Sequence, residues 1–334
     1  MLGATTLAEF VAACGGSTAN VSGSLKQATV QLLWLEDVEF GGNYAAAKQG
    51  FMKQQGLKQT LIPGGPQTNA VQAVAGGSAP IGLIGGSQDI IEAVASGIPV
   101  KMIATTYQTT TYGLLSLASN PIRTPQDAIG KKIGLQAGAR PFWNEILAVN
   151  HIAEDKMTIV PAGFDPTPLV THQIDGYWAY AFNQPVSLEL KGIPTYMMLA
   201  SDAGTPSYSD VIFTLDSALK TQEDLLVRWL RATIQGWEYF LQHPVEMANY
   251  AISQSPSLKL DPTQQVAQAK AEVPFLTSPL TNSKGLLWID QSSLAQSAAL
   301  LHQVGQVNRL VAPSETMTTT ILEKAYGGKT SLPI

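Results

Sequence analysis

The residues best suited to holding a small molecule lie in one short segment, DGYWAYAFNQP, which spans residues 175–185. Four aromatic side chains are followed there by the amides Asn183 and Gln184, although aromatic residues make up only 7% of the chain. Aromatic faces stack on planar rings, and an amide can both donate and accept a hydrogen bond. The segment therefore predicts contact with a flat, polar ligand, while strand alternation sends one or two of the rings into core packing.

Catalytic signatures are missing from the sequence. The four histidines are scattered, and neither HExxH nor a Cys/His zinc pattern occurs. There is no GxxxxGK[ST] phosphate loop and no GxSxG nucleophile motif, and IGLIGGS at residues 81–87 lacks GxGxxG spacing. We interpret the carboxylate pairs Glu36/Asp37 and Asp210/Asp216 as solvated loop charges. The sequence predicts a protein that is not an enzyme and needs no metal or cofactor.

The charge balance argues against nucleic acid as a partner. The formal net charge is −5, and no basic stripe is available to neutralise phosphates. Charged residues make up 13% of the chain, about half the usual share of a soluble domain. Such a low-charge polar surface favours an extracytoplasmic protein. No apolar run reaches the ~20 residues of a membrane-spanning helix.

The single cysteine, Cys14, supports the same location. It lies in FVAACGGSTANVSGS, where small residues precede the cysteine as in lipoprotein signal peptides and a Gly/Ser/Thr tether follows it. We expect residues 1–27 to be a signal remnant and tether, with a lipid on Cys14 holding the protein at the outer face of the cell membrane. No basic segment precedes this run and Glu9 interrupts it, so we expect the true start upstream of Met1. The alternative is a free cysteine, buried or disordered.

Strand and helix patterns alternate along residues 28–106 and again along residues 112–181. This alternation predicts two α/β units with largely parallel sheets. The strands are expected at 28–34, 57–62, 80–84, 100–106, 112–118, 132–136, 157–161 and 176–181, and the helices between them at 43–55, 67–75, 88–96, 139–150 and 165–173. Long amphipathic helices follow from residue 221, with Trp229, Trp237 and Trp288 expected in core packing.

Three segments together resemble a known family. They are VQLLWLEDVEFGGNYAAAKQGFMKQQGL, IRTPQDAIGKKIGLQAG and DGYWAYAFNQPVSLELKGIP, found in that order between residues 30 and 194. They resemble the solute-binding proteins grouped with sulfonate- and thiamine-pyrimidine-binding members.

The resemblance implies a fold and a role. The fold is the α/β type II periplasmic-binding-protein fold, with crossover strands joining two lobes around a ligand cleft. We place lobe I at residues 28–111 plus 212–334 and lobe II at 112–211. The implied role is a monomeric protein that closes on its ligand and delivers it to the transmembrane subunit of an ABC importer. Some members of this fold are enzymes that build the thiamine pyrimidine; they depend on a Cys-rich motif, and this chain has one Cys.

Ligands of open α/β sheets lie beyond the carboxyl ends of the strands. Applied to the expected strands, this rule selects loop residues that are rich in aromatic rings and poor in cations. The candidate ligand-binding residues are Trp34, Glu39, Phe40, Tyr44, Ser87, Gln88, Tyr107, Arg140, Trp143, Tyr177, Trp178, Asn183, Gln184 and Tyr208.

The ligand choice depends most on Gln184, which stands where the resembling pyrimidine-binding proteins have a glutamate. A carboxylate only accepts hydrogen bonds and suits an aminopyrimidine, whereas an amide suits an imide edge such as that of a flavin. We therefore favour riboflavin, its sugar-alcohol chain held by Glu36, Asp37, Glu39 or Asn43. The alternatives are that Gln184 only caps a loop and the ligand is the aminopyrimidine thiamine precursor, or that Arg140 and the helix start at Ser87 bind a sulfonate or other small anion.

Overall fold

The computed structural model describes residues 24–65 and 68–334, so Cys14 lies outside the described residues. In this part of the chain the strands are β1 Lys26–Gln31, β2 Leu57–Ile62, β3 Ile81–Gly86, β4 Val100–Tyr107, β5 Tyr112–Leu117, β6 Lys132–Leu135, β7 Thr158–Pro161, β8 Gly176–Tyr180, β9 Thr195–Leu199 and β10 Ser209–Leu215. The helices are α1 Gly41–Lys48, α2 Phe51–Gln54, α3 Ala70–Ala75, α4 Ser87–Ala95, α5 Arg140–Val149, α6 Thr167–Val170, α7 Gln184–Leu190, α8 Asp216–Thr221, α9 Glu223–Gln242, α10 Pro244–Gln254, α11 Pro262–Glu272, α12 Pro279–Lys284, α13 Gln291–Gln303, α14 Pro313–Thr316 and α15 Thr320–Tyr326.

Within the described residues the strands form two five-stranded sheets. The first sheet has the order β2-β1-β3-β10-β4, and the second has the order β7-β6-β8-β5-β9. Both sheets are mixed, which corrects the expectation of largely parallel sheets. Strand β10 runs antiparallel to β3 and β4, and β5 runs antiparallel to β8 and β9. The physical reason is that these two strands carry the chain from one sheet to the other, so each enters its sheet against the direction of its neighbours.

The alternation of strands and helices is where the sequence predicted most accurately. Strand β2 matches its expected bounds, and the long helix α9 lies after residue 221, where long helices are expected. The helix expected at 43–55 is instead divided into α1 and α2, because Gly50 adopts a left-handed conformation with φ 79° between them. The helix expected at 165–173 contracts to the short α6.

Helix α9 packs directly on α1 and closes the core behind the first sheet. A Cβ atom on Gly236 would lie 2.0 Å from the carbonyl oxygen of Gly42, so glycine is required for this close helix–helix approach. Trp229 and Trp237 on α9 are buried in this core, as expected, and Trp288 packs against its edge. Among the described residues, no helix combines the length and apolar character needed to cross a bilayer.

Candidate functional site

The two sheets meet where the chain passes between them, at residues 108–111 and 200–208, and we call this region the junction. Gln88 at the start of α4 donates from Nε2 to the Tyr112 hydroxyl at 2.8 Å. The half of the molecule that contains the first sheet therefore contacts the half that contains the second sheet. Ser87 and Ser207 join their hydroxyls at 2.9 Å. At the rim, Trp34 packs edge-on against Phe164 with ring centroids 4.6 Å apart. The two halves are therefore closed on each other.

Two glycines let the halves approach this closely. A Cβ atom on Gly86 would lie 2.5 Å from Gln88 Oε1 and 3.0 Å from the Tyr112 hydroxyl. On Gly85 it would lie 3.3 Å from the hydroxyl of Tyr180, which belongs to the second sheet. The Gly-Gly pair at the end of β3 thus makes room for two tyrosine hydroxyls from the opposite half.

Three aromatic rings of the second sheet and one of helix α5 form a continuous surface at the junction, which we call the aromatic panel: Tyr112, Trp178 and Tyr180 with Phe142. Tyr112 lies 4.9 Å from Phe142 and 5.6 Å from Trp178, centroid to centroid. Phe142 and Trp178 are nearly parallel, at an interplanar angle of 17°. Because side chains alternate along β8, Trp178 and Tyr180 share a face while Tyr177 lies on the other face, where it donates to the Gly163 carbonyl at 2.6 Å.

Beside the panel, acidic side chains gather into what we call the carboxyl cluster: Asp37, Glu39, Asp210 and Glu272. They come from the 3-10 turn after β1, from the start of β10 and from the end of α11. Their relative exposures are 5%, 4%, 0% and 0%. One Glu39 oxygen and both oxygens of Asp210 and Glu272 are buried without a hydrogen-bond partner. This contradicts the interpretation of Asp37 and Asp210 as solvated loop charges.

Asp210 has an unusual backbone. Its φ is 51°, in the left-handed region that most side chains avoid, although aspartate and asparagine tolerate it. The pairings of β10 with β3 and β4 keep one register from Ser209 to Val211, so β10 passes through Asp210 without a bulge; its register shift against β4 lies between Ile212 and Phe213. The carboxyl group of Asp210 lies in the cluster, close to Glu39.

The surroundings of the cluster shift its protonation. Burial raises the pKa of Asp37 to about 6 and that of Asp210 to about 8. Burial, followed by repulsion from Asp210 and Asp37, raises the pKa of Glu39 well above its usual range. Burial likewise raises the pKa of Glu272 well above that range. Near neutral pH the closed protein holds protons on several of these groups.

Every buried ionisable acid or base in the described residues is a carboxylic acid or a tyrosine. The buried carboxyl groups are the four of the cluster and Glu145 on α5, whose pKa is raised to about 7 by burial. No Lys, Arg or His of the described chain is buried. The closed junction is thus an acidic, aromatic environment with no cation inside it.

The expected site residues divide into three groups. The first group, Glu39, Ser87, Gln88, Tyr107 and Trp178, lies around the junction. Ser87 and Gln88 bond to Ser207 and Tyr112, and Trp178 belongs to the aromatic panel. Glu39 belongs to the carboxyl cluster, whose charges raise the pKa of the neighbouring Tyr107 further after burial. Tyr208 borders it: its carbonyl accepts from the Ser87 amide at 3.3 Å, while its hydroxyl donates to Asp290 at 3.2 Å.

A second group lies in the cores or outside the junction. Trp143, Tyr177 and Phe40 are fully buried in core clusters. Tyr44 is buried near Tyr250, with centroids 6.3 Å apart. Arg140 is exposed and forms an ion pair with Glu154, so it does not reach the junction.

The two amides and Trp34 make up the rest. Gln184 accepts a hydrogen bond from the Tyr180 amide through Oε1 at 3.1 Å, which closes the turn between β8 and α7. Asn183 accepts from Gln264 at 3.5 Å across the two halves, and Trp34 is half-buried at the rim. The acceptor of Gln184 is therefore used within the protein, in line with the loop-capping alternative.

Comparison with known proteins identifies the family. A family model described as NMT1/THI5 like matches residues 37–247, which is more than half of the chain. The chain belongs to the NMT1/THI5-like family. The resemblance inferred from the sequence is confirmed by this match.

Curated relatives of this family member match most of its length. The riboflavin-binding protein RibY of Chloroflexus aurantiacus is 25% identical over 298 residues, which cover 84% of each chain. The formylaminopyrimidine-binding protein of Halalkalibacterium halodurans is 21% identical and covers 83% of this chain and 84% of its own. A 4-amino-5-hydroxymethyl-2-methylpyrimidine phosphate synthase of Legionella pneumophila is 23% identical and covers 78% and 83%.

A solved structure supports the fold. The alkanesulfonate-binding protein SsuA of Xanthomonas axonopodis pv. citri matches with a TM-score of 0.64 at 15% identity, covering 89% of this chain and 99% of that one. The expected periplasmic-binding-protein fold with two α/β halves is confirmed.

Proposed function

We propose that this protein is the extracytoplasmic solute-binding component of an ABC importer. It would bind a planar heteroaromatic vitamin or vitamin precursor at the junction, with riboflavin favoured. Two lobes, residues 28–111 plus 212–334 and residues 112–211, would close on the ligand as a monomer and present it to the transmembrane subunit. The family, the fold and the names of the RibY and formylaminopyrimidine-binding relatives support this role.

The observation that carries the ligand class is the aromatic panel beside a cation-free acidic interior. An aromatic pair contributes about 0.5–1.5 kcal/mol beyond area burial when rings stack or meet edge to face. Phe142 and Trp178, 6.3 Å apart and nearly parallel, offer such faces to a flat ring when the halves separate. A ring on this panel would lie next to carboxyl groups that accept hydrogen bonds.

A sulfonate or another small anion is a poorer fit. Anion sites use Arg, Lys or free backbone amides at a helix start. Arg140 is paired with Glu154 on the surface. The Ser87 amide at the start of α4 already donates to Ser207 Oγ at 3.2 Å, and Asp89 accepts from the Gly86 amide at 2.9 Å.

The aminopyrimidine thiamine precursor is the second candidate. It is favoured by the carboxyl cluster, because an exocyclic amine donates well to carboxylates, and by the capping role of Gln184. A synthase activity is disfavoured, since the enzymes resembled here depend on a Cys-rich motif and this chain has one Cys.

Absorbance and binding measurements test the proposal. Protein purified from a growing host should carry yellow absorbance with quenched flavin fluorescence, and ligand-free protein should show a thermal shift with riboflavin. Colourless protein with no shift from riboflavin, yet a clear shift from the aminopyrimidine, would move the assignment to the second candidate. If neither riboflavin nor the aminopyrimidine gives a thermal shift and an alkanesulfonate does, the heteroaromatic proposal is overturned.

The membrane anchor is a separate part of the proposal. A lipid on Cys14 predicts that the protein expressed in its host from the full gene fractionates with membranes. Cys14→Ser should release it into the soluble fraction. Retention of the variant on membranes would contradict the anchor.

A further inference from the structure

We infer that Phe164 and Trp34 form a latch at the rim of the junction, and that Phe164 sets how long the closed protein retains its ligand. The inference rests on the proposed function and adds a residue that controls ligand release without belonging to the aromatic panel or the carboxyl cluster.

The contact joins the two halves of the molecule. Trp34 follows β1 of the first sheet and Phe164 follows β7 of the second sheet. Their rings meet edge to face, with centroids 4.6 Å apart and an interplanar angle of 67°. Each residue comes after the carboxyl end of its strand, which is the edge of the sheet where open α/β proteins bind ligands. The pair therefore closes the molecule on its ligand side.

The position of the pair in the two sheets places it far from the hinge. The chain passes between the sheets at residues 108–111 and 200–208, so separation of the halves turns about these segments. In the first sheet β1 lies two strands from β10 and three from β4, and in the second sheet β7 lies three strands from β5. At about 4.8 Å between neighbouring strands, the contact is roughly 10–15 Å from the strands that carry the crossovers. A small rotation about the hinge is therefore enough to separate the two rings.

The loop that carries Phe164 is fixed on both sides of the ring. The Gly163 carbonyl accepts from the Tyr177 hydroxyl at 2.6 Å. The Asp165 carboxylate accepts from the Thr167 amide at 2.9 Å. The Phe164 side chain itself is 42% exposed, so the backbone is held in place while the ring stays accessible to Trp34.

Trp34 is held in a similar way on the opposite half. Its carbonyl accepts from the Gly64 amide at 2.8 Å. A Cβ atom on Gly64 would lie 2.4 Å from the carbonyl carbon of Leu33, so glycine is required where the two segments pass each other. Because both rings stand on fixed backbone, little conformational freedom is lost when they meet.

The energy of the contact defines the size of its effect. An edge-to-face aromatic pair favours the state in which it forms by about 2- to 10-fold. The latch forms after the ligand has entered, so its loss should change the rate of release and leave the rate of association nearly unchanged.

The test measures riboflavin release by stopped-flow fluorescence from the wild type, Phe164→Ala and Phe164→Tyr. Ile129→Ala is the matched control, because Ile129 is an apolar residue of the same half, 49% exposed, that precedes the amino end of β6 and so lies away from the ligand side. Neither residue is a core side chain, and thermal melts without ligand establish that each variant is folded.

We expect Phe164→Ala to release riboflavin about 3- to 10-fold faster than the wild type, with an association rate within about twofold. Phe164→Tyr keeps the ring, so its release rate should stay within about twofold of the wild type, as should that of Ile129→Ala. In a Trp34→Leu background, Phe164→Ala should add less than about twofold, because the partner ring is already gone.

A second measurement tests the contact without any ligand. In a Cys14→Ser background, a short bifunctional thiol reagent should join Trp34→Cys to Phe164→Cys. The reaction should be at least about 10-fold faster than that of Trp34→Cys with Ile129→Cys, because only the first pair is held at high effective concentration.

The contrary results separate this inference from the proposed function. Equal release from the wild type and Phe164→Ala, or additive effects of Phe164→Ala and Trp34→Leu, would overturn the latch and leave a riboflavin-binding protein. If riboflavin does not bind but 4-amino-5-hydroxymethyl-2-methylpyrimidine does, the release of that compound, followed by tryptophan fluorescence, decides the inference in the same way. If neither ring binds, the proposed function fails; equal cross-linking of the two cysteine pairs then overturns the latch as well, and faster cross-linking of the first pair supports it.

Discussion

Replacing Asp210 by Asn should change the stability of the ligand-free protein in a pH-dependent way. The substitution keeps the shape of the side chain and removes its charge. Asparagine tolerates a φ of 51° as well as aspartate does, so the backbone of β10 should be retained. Any effect therefore reports the charge and not the backbone.

The magnitude follows from linkage. The folded pKa of Asp210 is raised from 3.8 to about 8, so the folded protein binds a proton that the unfolded chain has released. The stability that this proton provides is fully present below pH 3.8 and is lost as the pH rises to about 8. At about 1.4 kcal/mol per pKa unit, the full loss would be roughly 6 kcal/mol. Because Asp210 and Glu39 share protons, and because separation of the two halves would let water reach the carboxylates, we expect a net effect of about 2–3 kcal/mol.

Chemical denaturation at pH 4.5 and pH 8.5 measures this effect. Asp210→Asn should raise the free energy of unfolding by about 2–3 kcal/mol at pH 8.5 and by less than about 1 kcal/mol at pH 4.5. Glu238→Gln, measured in parallel, gives the effect of a carboxyl-to-amide change away from the cluster. An equal gain at both pH values, or a loss at pH 8.5, would refute the reasoning.

Substitutions at four further residues test other parts of the site. Gly86→Ala places a Cβ atom 3.0 Å from the hydroxyl of Tyr112 in the opposite half, so it should hinder closure and weaken ligand binding by about 10-fold, measured by titration and by the ligand-induced decrease in radius of gyration. Gln184→Leu removes the hydrogen bond to the Tyr180 amide and should cost about 1 kcal/mol in the free energy of unfolding, whereas Gln184→Glu keeps the acceptor and should cost less. Trp143→Ala should cost about 3–5 kcal/mol of stability because the ring is 0% exposed, while Phe142→Ala should mainly weaken ligand binding.

Gly86→Ala, Gln184→Leu and Trp143→Ala each have an outcome that would contradict the expectation. Gly138→Ala is the control for Gly86→Ala, since a Cβ atom there meets nothing within 4 Å; equal effects would remove the steric argument. Equal stability losses for Gln184→Leu and Gln184→Glu would contradict the capping role. A Trp143→Ala protein of normal stability with no ligand affinity would place that ring in the binding site instead of the core.

The junction explains why some expected site residues contact one another and others do not. The rule that ligands lie beyond the carboxyl ends of strands selected Glu39, Gln88, Tyr107 and Trp178, and the fold places these four residues around the junction. It also selected Trp143, which is buried in the core, because a loop-adjacent position does not specify which way a helical side chain faces. Sequence position alone cannot make that distinction.

The sequence by itself determined the alternation of strands and helices, the family motifs and the low-charge composition. These features are local or additive: periodicity depends on neighbouring residues, and composition does not depend on the fold. The aromatic concentration at residues 177–182 was also visible directly, although strand alternation then divided it between a core face and the panel.

Only the tertiary structure decided the chemistry of the junction. Asp37 and Glu39 share one turn, but Asp210 and Glu272 are far from it in the chain, and nothing local to these segments indicates that they are neighbours. The sequence favours a solvated charge at Asp210, but the fold buries this residue in β10. The hydrogen bond that Gln184 Oε1 accepts from the Tyr180 amide is likewise visible only in the folded chain. Burial is a property of the assembled chain, and it is burial that converts ordinary acids into unpaired acceptors with raised pKa values.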